Sequence, residues 1–401
     1  MTHDHAAGAA RRGFLTSAAG TVGAAALAGW SLVGGAPSAD AQSNPTRRQD
    51  DPAARRRPFR GVHQSGIVDA PQAHGAFVGL DLVDGVDREG VRRLLSVLTD
   101  DIDRLMSGQG SLTDQEPELA AVTAELTVTV GVGPGVVARV GAAAPTWLAP
   151  LPGFSVDRLE DRWSAADLCL QVCSASPTTV SHAVRRLTTA LEPLVRLRWV
   201  QRGFREPFEG PGRPMRNLFG QVDGTVQPDV AGHDAGLVWN AGEPAWLAGG
   251  SALVLRRIAM AMDTWDAVDR QARENSIGRR LDTGAPVTAP PGAGADAPAD
   301  LFAKDGLGFH IIDDAAHVRR AQAKEPHERF LRRPYSYDDD SGTGLLFAAY
   351  MVDPVRQFVP VQQRLAELDL LNIWTTPVGS GVWAVLPGAG PGEMLGGALL
   401  A

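Results

Sequence analysis

The apolar positions of the chain fall into two series with the same order. In the first, Gly75–Leu82 alternates as a strand, and Arg88–Met106 carries apolar residues at helical intervals. Leu126–Val132 and Ala166–Cys173 read as further strands, Thr178–Leu191 as a second helix and Leu197–Arg202 as a closing strand. In the second series, Ser251–Met260 predicts a strand, Thr264–Ser276 a helix and Gly344–Met351 a strand. Pro354–Leu368 and Gly381–Leu386 complete it as helix and strand. The repeated order predicts an α+β chain of two domains, each an antiparallel sheet with helices packed on a face. Gly and Pro cluster between 203 and 214, which sets the domains at 58–205 and 214–398. Residues 284–300 are rich in Pro, Ala and Gly and read as a mobile surface loop inserted into the second domain.

The length of 401 residues accommodates both domains with extra segments at the ends. The net charge of −8, with no basic run interleaved with aromatics, argues against a general nucleic-acid binder. At the N-terminus, Arg11-Arg12-Gly13-Phe14-Leu15 opens a weakly apolar run to about Gly35, and Ala39-Asp40-Ala41 follows as a small-x-small cleavage site. Residues 1–41 therefore read as a twin-arginine signal peptide, too rich in Gly, Ala, Ser and Thr for a stable membrane span. The expected location is periplasmic or extracellular. Twin-arginine export carries proteins that fold first, commonly around a cofactor. Residues 42–57 read as a disordered leader, with ordered structure beginning near Phe59. The two cysteines, Cys169 and Cys173, sit four apart on a predicted strand, ~13 Å from each other, beyond disulfide reach. They read as small buried hydrophobes, and the spacing supports neither a zinc site nor an iron–sulfur cluster.

Three stretches could carry chemistry. In Gly220-Gln221-Val222-Asp223-Gly224-Thr225, two glycines bracket a carboxylate, which suits either a plain turn or an acid–base group held close to a flat ligand. Among the nine histidines, His3 and His5 lie in the signal peptide, and His182 falls on a polar helix face and reads as surface. His310 and His327 sit in loops, as does His317 in Asp313-Asp314-Ala-Ala-His317-Val-Arg319. In Leu331-Arg332-Arg333-Pro334-Tyr335-Ser336-Tyr337, arginines among apolar groups could meet a developing negative charge or close a salt-bridged strand end.

Gly220-x-x-Asp223-Gly224, His317-x-Arg319 and Leu331-Arg332-Arg333-x-Tyr335-x-Tyr337 together resemble the dye-decolourising peroxidases, where they occur in this order and at about this spacing. Gly61-Val-His-Gln-Ser-Gly-Ile67, Gly249-Gly250-Ser251, Ile277-Gly278-Arg279-Arg280 and Gly344-Leu-Leu-Phe347 extend the resemblance over roughly 58–398, to the exported subgroup. It implies two ferredoxin-like domains of the dimeric α/β-barrel type and one b-type haem per chain, held mainly by the second domain. His317 would be the proximal iron ligand, with Asp353 the acceptor for its other ring nitrogen. Asp223 would be the distal acid–base group and Arg332 the distal arginine, with Arg333 the alternative. Arg279 would reach a haem propionate, and Gly224 and Thr225 would line the haem edge. Pro334 departs from the small or polar residue that relatives often carry there.

The implied activity is reduction of hydrogen peroxide with oxidation of dyes, phenolics or other small reductants. The alternative is a deferrochelatase-like protein that releases iron from haem for an iron-uptake system. A non-enzymatic binding domain of the same architecture is the third reading. The implied partners are peroxide, a small reductant and the twin-arginine export machinery. No nucleic acid is among them, and a homo-oligomer stays open. The Trp and Tyr residues of the second domain read mostly as core packing.

Overall fold

A computed structural model describes residues 55–401 apart from 208, 209, 211 and 212. The signal peptide and leader residues 42–54 lie outside the described residues. Ahead of Phe59, the main-chain O of Arg55 already accepts from Glu125 N at 2.8 Å and from Thr123 Oγ1 at 2.7 Å.

The first half runs β1 (His74–Leu82), α1 (Arg88–Met106), β2 (Thr127–Val132), α2 (Pro134–Val140), β3 (Leu168–Ser174), α3 (Pro177–Leu191) and β4 (Val195–Phe204). A small hairpin, β5 (Met215–Arg216) and β6 (Val222–Asp223), follows. The second half runs β7 (Ser251–Met260), α4 (Met262–Asp266), α5 (Arg270–Ile277), α6 (His317–Arg320), β8 (Leu331–Arg332), β9 (Tyr335–Asp339), β10 (Gly342–Met351), α7 (Pro354–Leu368) and β11 (Thr375–Val385). Each half makes a four-stranded antiparallel sheet, β4-β1-β3-β2 and β9-β10-β7-β11, with β8 added on β10. Both orders place the first and third strands in the centre, the ferredoxin-like arrangement that the resemblance implies.

Two seams join the halves into a ring of eight strands. One is Ala384↔Val132 and Val385↔Gly131, between β11 and β2; the other is Phe204↔Ser336, between β4 and β9. The ring leaves β2, β4, β9 and β11 without the free edges of an open sheet. One cluster of buried side chains includes Phe77, Cys169, Cys173, Trp199, Leu255, Tyr335, Tyr350 and Trp383. These come from seven strands that span both halves. Cys169 and Cys173 are free and buried, as expected. A second cluster joins Leu94, Leu98 and Ile102 of α1 and Val184 and Leu187 of α3 to Val78, Val130 and Leu170 of the first sheet. Among the described residues, no helix is long and apolar enough to cross a membrane.

Three expectations need correction. The helix placed at Thr264–Ser276 is two short helices, because Asp269 breaks the run by capping Ala272 N at 3.0 Å and starting α5 afresh. The insertion at 284–300 is fastened to the body: Arg279 Nη1 donates to the carbonyls of Gly284 and Ala295, each at 2.7 Å, and Arg280 Nη2 donates to Ala289 O at 2.9 Å. His182 is buried, 2% exposed, with Nε2 3.1 Å from Asp114 Oδ2. The segment between α1 and β2 folds over the outer face of α3, where Thr179 Oγ1 bonds Val122 O at 2.7 Å. Helical periodicity alone does not reveal that cover.

The same cover buries Asp101 of α1. Burial, with the like charge of Asp100, pushes its carboxyl up to about 6 against the pull of Arg186 and Arg104. A folded-state pKa raised above the unfolded value gives stability that is present below the unfolded pKa, about 3.9, and lost as pH rises through about 6. Asp101→Asn is therefore expected to stabilise the protein by roughly 1–2 kcal/mol at pH 7.5 and to change little near pH 4. Thermal unfolding of both proteins at the two pH values tests this; an equal shift at both would sink it.

Candidate functional site

The β5–β6 hairpin fixes Asp223. Met215 pairs with Asp223 and Arg216 with Val222, and the turn between them closes through Gly220 N→Asn217 O and Asn217 N→Gln221 O, both at 2.9 Å. Gly220 and Gly224 have φ of +79° and +90°, a conformation other residues enter only with strain. The turn is anchored from outside: Phe219 stacks on Trp265 with ring centroids 4.4 Å apart, and Trp265 Nε1 donates to Phe219 O at 3.3 Å.

Opposite Asp223 stands Arg332, with Nη1 3.4 Å from Asp223 Oδ1 and Nη2 2.9 Å from Val226 O. Gln227 grips the Arg332 backbone from both sides, donating from Nε2 to its O at 2.8 Å and accepting at Oε1 from its N at 3.0 Å. Arg333 turns the other way, fully buried, and donates to Asp69 O at 2.6 Å and to Gln72 Oε1. Of the two candidates, Arg332 is the one that meets Asp223. Pro334 is buried at the break between β8 and β9, between Arg333 N→Ala348 O at 2.8 Å and the Tyr335↔Leu346 pair. A strand gap tolerates a missing N–H.

His317 opens the four-residue helix α6, with its side chain one-third exposed. Its Nδ1–H donates to Asp369 Oδ2 at 2.6 Å, since a carboxylate can only accept. The expectation that Asp353 would be the acceptor is overturned. Asp353 is the N-cap of α7, with Oδ1 accepting from Val355 N at 2.9 Å and Arg356 N at 3.1 Å. Asp369, at the other end of α7, uses Oδ1 on Leu371 N at 2.9 Å and keeps Oδ2 for the imidazole. Burial lowers the His317 pKa, but the attraction and hydrogen bond of Asp369, with a further pull from Asp223, carry it above the usual value. The charges of Asp223 and Arg332 both reach His317, the first raising and the second lowering its pKa.

Phe219, beside the Asp223 turn, packs in one apolar cluster with Met215, Met260 and Leu345, against which half-buried Ile258, Phe347 and Val318 lie. Val318 is the neighbour of His317. Arg279 is half-buried, with only Nη1 bonded among the described residues. Burial lowers its pKa and the like charge of nearby Arg332 lowers it further. Gly224 borders the Asp223 pocket and Thr225 is half-buried beside it.

This set fits a haem on this chain's own terms. His317 Nε2 has no partner among the described residues while Nδ1 is fixed, the state a metal-bound imidazole requires. Half-buried apolar side chains offer a surface for a flat macrocycle, and Arg279 has free donors for a carboxylate. Sequence reasoning missed Gln227 and Asp369. Gln227 carries no motif, and Asp369 acts from 52 residues away.

Two family models cover most of the described chain: Dyp-type peroxidase, N-terminal, over residues 64–205, and Dyp-type peroxidase, C-terminal, over 214–390. A dye-decolorizing peroxidase of Thermobifida fusca is 36% identical, with 97% of this chain and 96% of that protein covered. A deferrochelatase of Yersinia pestis is 31% identical, with 92% and 90% covered. The crystal structure of a DyP-type peroxidase from Cellulomonas bogoriensis superposes with a TM-score of 0.84 at 49% identity, covering 87% of this chain and 99% of that one. The chain thus belongs to the Dyp-type peroxidase family, a family of haem-binding oxidoreductases.

Proposed function

We propose that this protein reduces hydrogen peroxide at one b-type haem and oxidises a dye, a phenol or another small reductant. The observation that carries this reading is the Asp223–Arg332 pair, whose charges reach a histidine with one ring nitrogen fixed by a buried carboxylate and the other without a partner among the described residues. Haem, when bound, supplies the redox chemistry: two electrons for the O–O bond of peroxide, recovered afterwards from the reductant. His317 would hold the iron through Nε2, Asp369 would fix the ring and raise its basicity, and Arg279 would pair with a propionate.

Asp223 moves the proton. Its Oδ1 is engaged by Arg332, whereas Oδ2 has no partner among the described residues. Oδ2 takes a proton from one peroxide oxygen and delivers it to the other, which leaves as water. Arg332 keeps a fixed charge beside the departing oxygen, and the Gln227 clamp spares it reorganisation at that moment. Gly224, in the positive-φ region, brings the backbone close without a side chain in the way.

Replacing Asp223 by Asn is expected to slow the reaction with peroxide by roughly 10²–10⁴-fold while the Soret band persists. Stopped-flow mixing with peroxide measures it, and an unchanged rate removes Asp223 from the role. The products of the same reaction separate the second reading, which the deferrochelatase relatives favour: intact porphyrin with free iron for iron release, oxidised reductant for a peroxidase. Asp369→Asn is expected to weaken haem retention by ~10–100-fold, measured as haem transfer to apomyoglobin; wild-type retention would remove Asp369 from that part.

The twin-arginine pair supports export. A chain with Lys at positions 11 and 12 is expected to remain in the cytoplasm, whereas the natural sequence appears, cleaved, beyond the membrane. Cell fractionation distinguishes the two, and equal export would overturn the signal.

A further inference from the structure

The pocket at Asp223 holds more positive charge than peroxide chemistry uses. Besides Asp223 and Arg332 it is lined by Arg205, Arg213, Arg333 and Asp69. Arg205 is 8% exposed, and among the described residues its guanidinium makes a single hydrogen bond, Nη2 to Arg213 O at 3.3 Å. Arg333 is 1% exposed and bonds only uncharged oxygens, those of Asp69 O and Gln72 Oε1. Neither arginine forms an ion pair with a described residue. The nearby acids are engaged elsewhere: Asp69 Oδ2 accepts from Gly66 N at 2.6 Å and its Oδ1 faces Arg57 Nη1 at 3.7 Å, while Asp223 faces Arg332. Burial depresses the Arg205 pKa and the like charge of Arg333 adds to that, against the pull of Asp223.

A buried guanidinium keeps its charge and is costly without a counter-charge. Here two lie side by side at the wall of an open pocket. The remaining wall includes Ile67, Val68, Pro71 and Leu331, which offer apolar surface rather than acceptors. We infer that Arg205, with Arg213 at the rim, forms a subsite for a small organic anion, a carboxylate on an apolar body, beside the Asp223–Arg332 pair. The planar fork of Arg205 matches a carboxylate and the apolar wall takes the hydrocarbon part. The subsite stands on protein atoms alone. Its consequence, that carboxylate-bearing reductants or peroxides are drawn to the distal face, rests on the peroxidase reading.

Calorimetric titration of the haem-loaded protein with benzoate, and with benzamide as the uncharged counterpart, tests the subsite. Benzoate is expected to bind and benzamide to bind far more weakly. Arg205→Gln should weaken benzoate on the order of tenfold or more, and Arg205→Lys less than that. The lysine variant and the benzoate–benzamide comparison in the unaltered protein keep the test decisive should the glutamine variant not fold. Equal benzoate affinity in the unaltered protein and Arg205→Gln overturns the inference. So does benzamide binding as tightly as benzoate, or no heat from benzoate up to about 10 mM. A missing Soret band or no response to peroxide would count against the peroxidase reading instead, and leaves the benzoate result to stand on its own.

Discussion

The site depends on the two-residue alternation of extended backbone at Arg332 and Arg333. Successive side chains leave opposite sides of the chain, so one arginine reaches Asp223 and the next enters the buried wall against Asp69 and Gln72. Neither can be moved without the other. Shifting β8 by one residue along β10 would put Pro334 against Gln72 in one direction, or leave Leu331 in place of the charge partner of Asp223 in the other. The register is held where such a slip would begin. Gln227 bonds both main-chain groups of Arg332, and Arg333 N bonds Ala348 O. Pro334 then ends the pairing before β9 starts. The proline that departs from the common pattern sits in the gap between β8 and β9, where a missing N–H breaks no strand pair.

Most of the architecture could be read from the order of apolar periods. Ser251–Met260 and Pro354–Leu368 form with the bounds expected, and the central strands of each half lie within a few residues of their predicted ends. These segments carry strong local signals: alternation, amphipathic spacing, and Pro at the first turn of a helix capped by Asp353. The ring itself was not legible from periodicity. It is closed by three residue pairs in two thin seams, and nothing local in Ala384, Val385 or Phe204 distinguishes a seam from an edge.

The site divides in the same way. Asp223, His317 and Arg332 sit in stretches whose glycines, arginines and spacing can be recognised, and the structure pairs Asp223 with Arg332. The residues that hold them are less visible. Asp353 and Asp369 bracket the same helix, and each caps backbone N–H groups. The choice between them rests on where the loop before α6 passes, tied by Leu370 N to Ala315 O at 3.0 Å. His182 and Arg205 fail to announce themselves for a related reason. Each is covered or faced by a segment distant in sequence, so a polar residue with ordinary local surroundings ends up buried.

The position of the site follows from an unequal treatment of two similar sheets. In the first half, the nineteen-residue α1 and the fifteen-residue α3 pack together on the sheet and bury it. In the second half, α7 matches α3 in length, but the place of α1 is taken by helices of five and eight residues, parted at Ala267–Asp269. Those helices cannot span the sheet, since a helix advances only about 1.5 Å per residue. Ile258 of β7 and Phe347 of β10 are left half-exposed where a long helix would have covered them. Into that gap come the β5–β6 turn with Asp223 and the short α6 with His317. A sheet surface short of its own cover must bury its apolar side chains against something else. A flat apolar cofactor held between these two segments, as proposed, would meet that need, so the omission of a long helix would give the fold a reason to retain it.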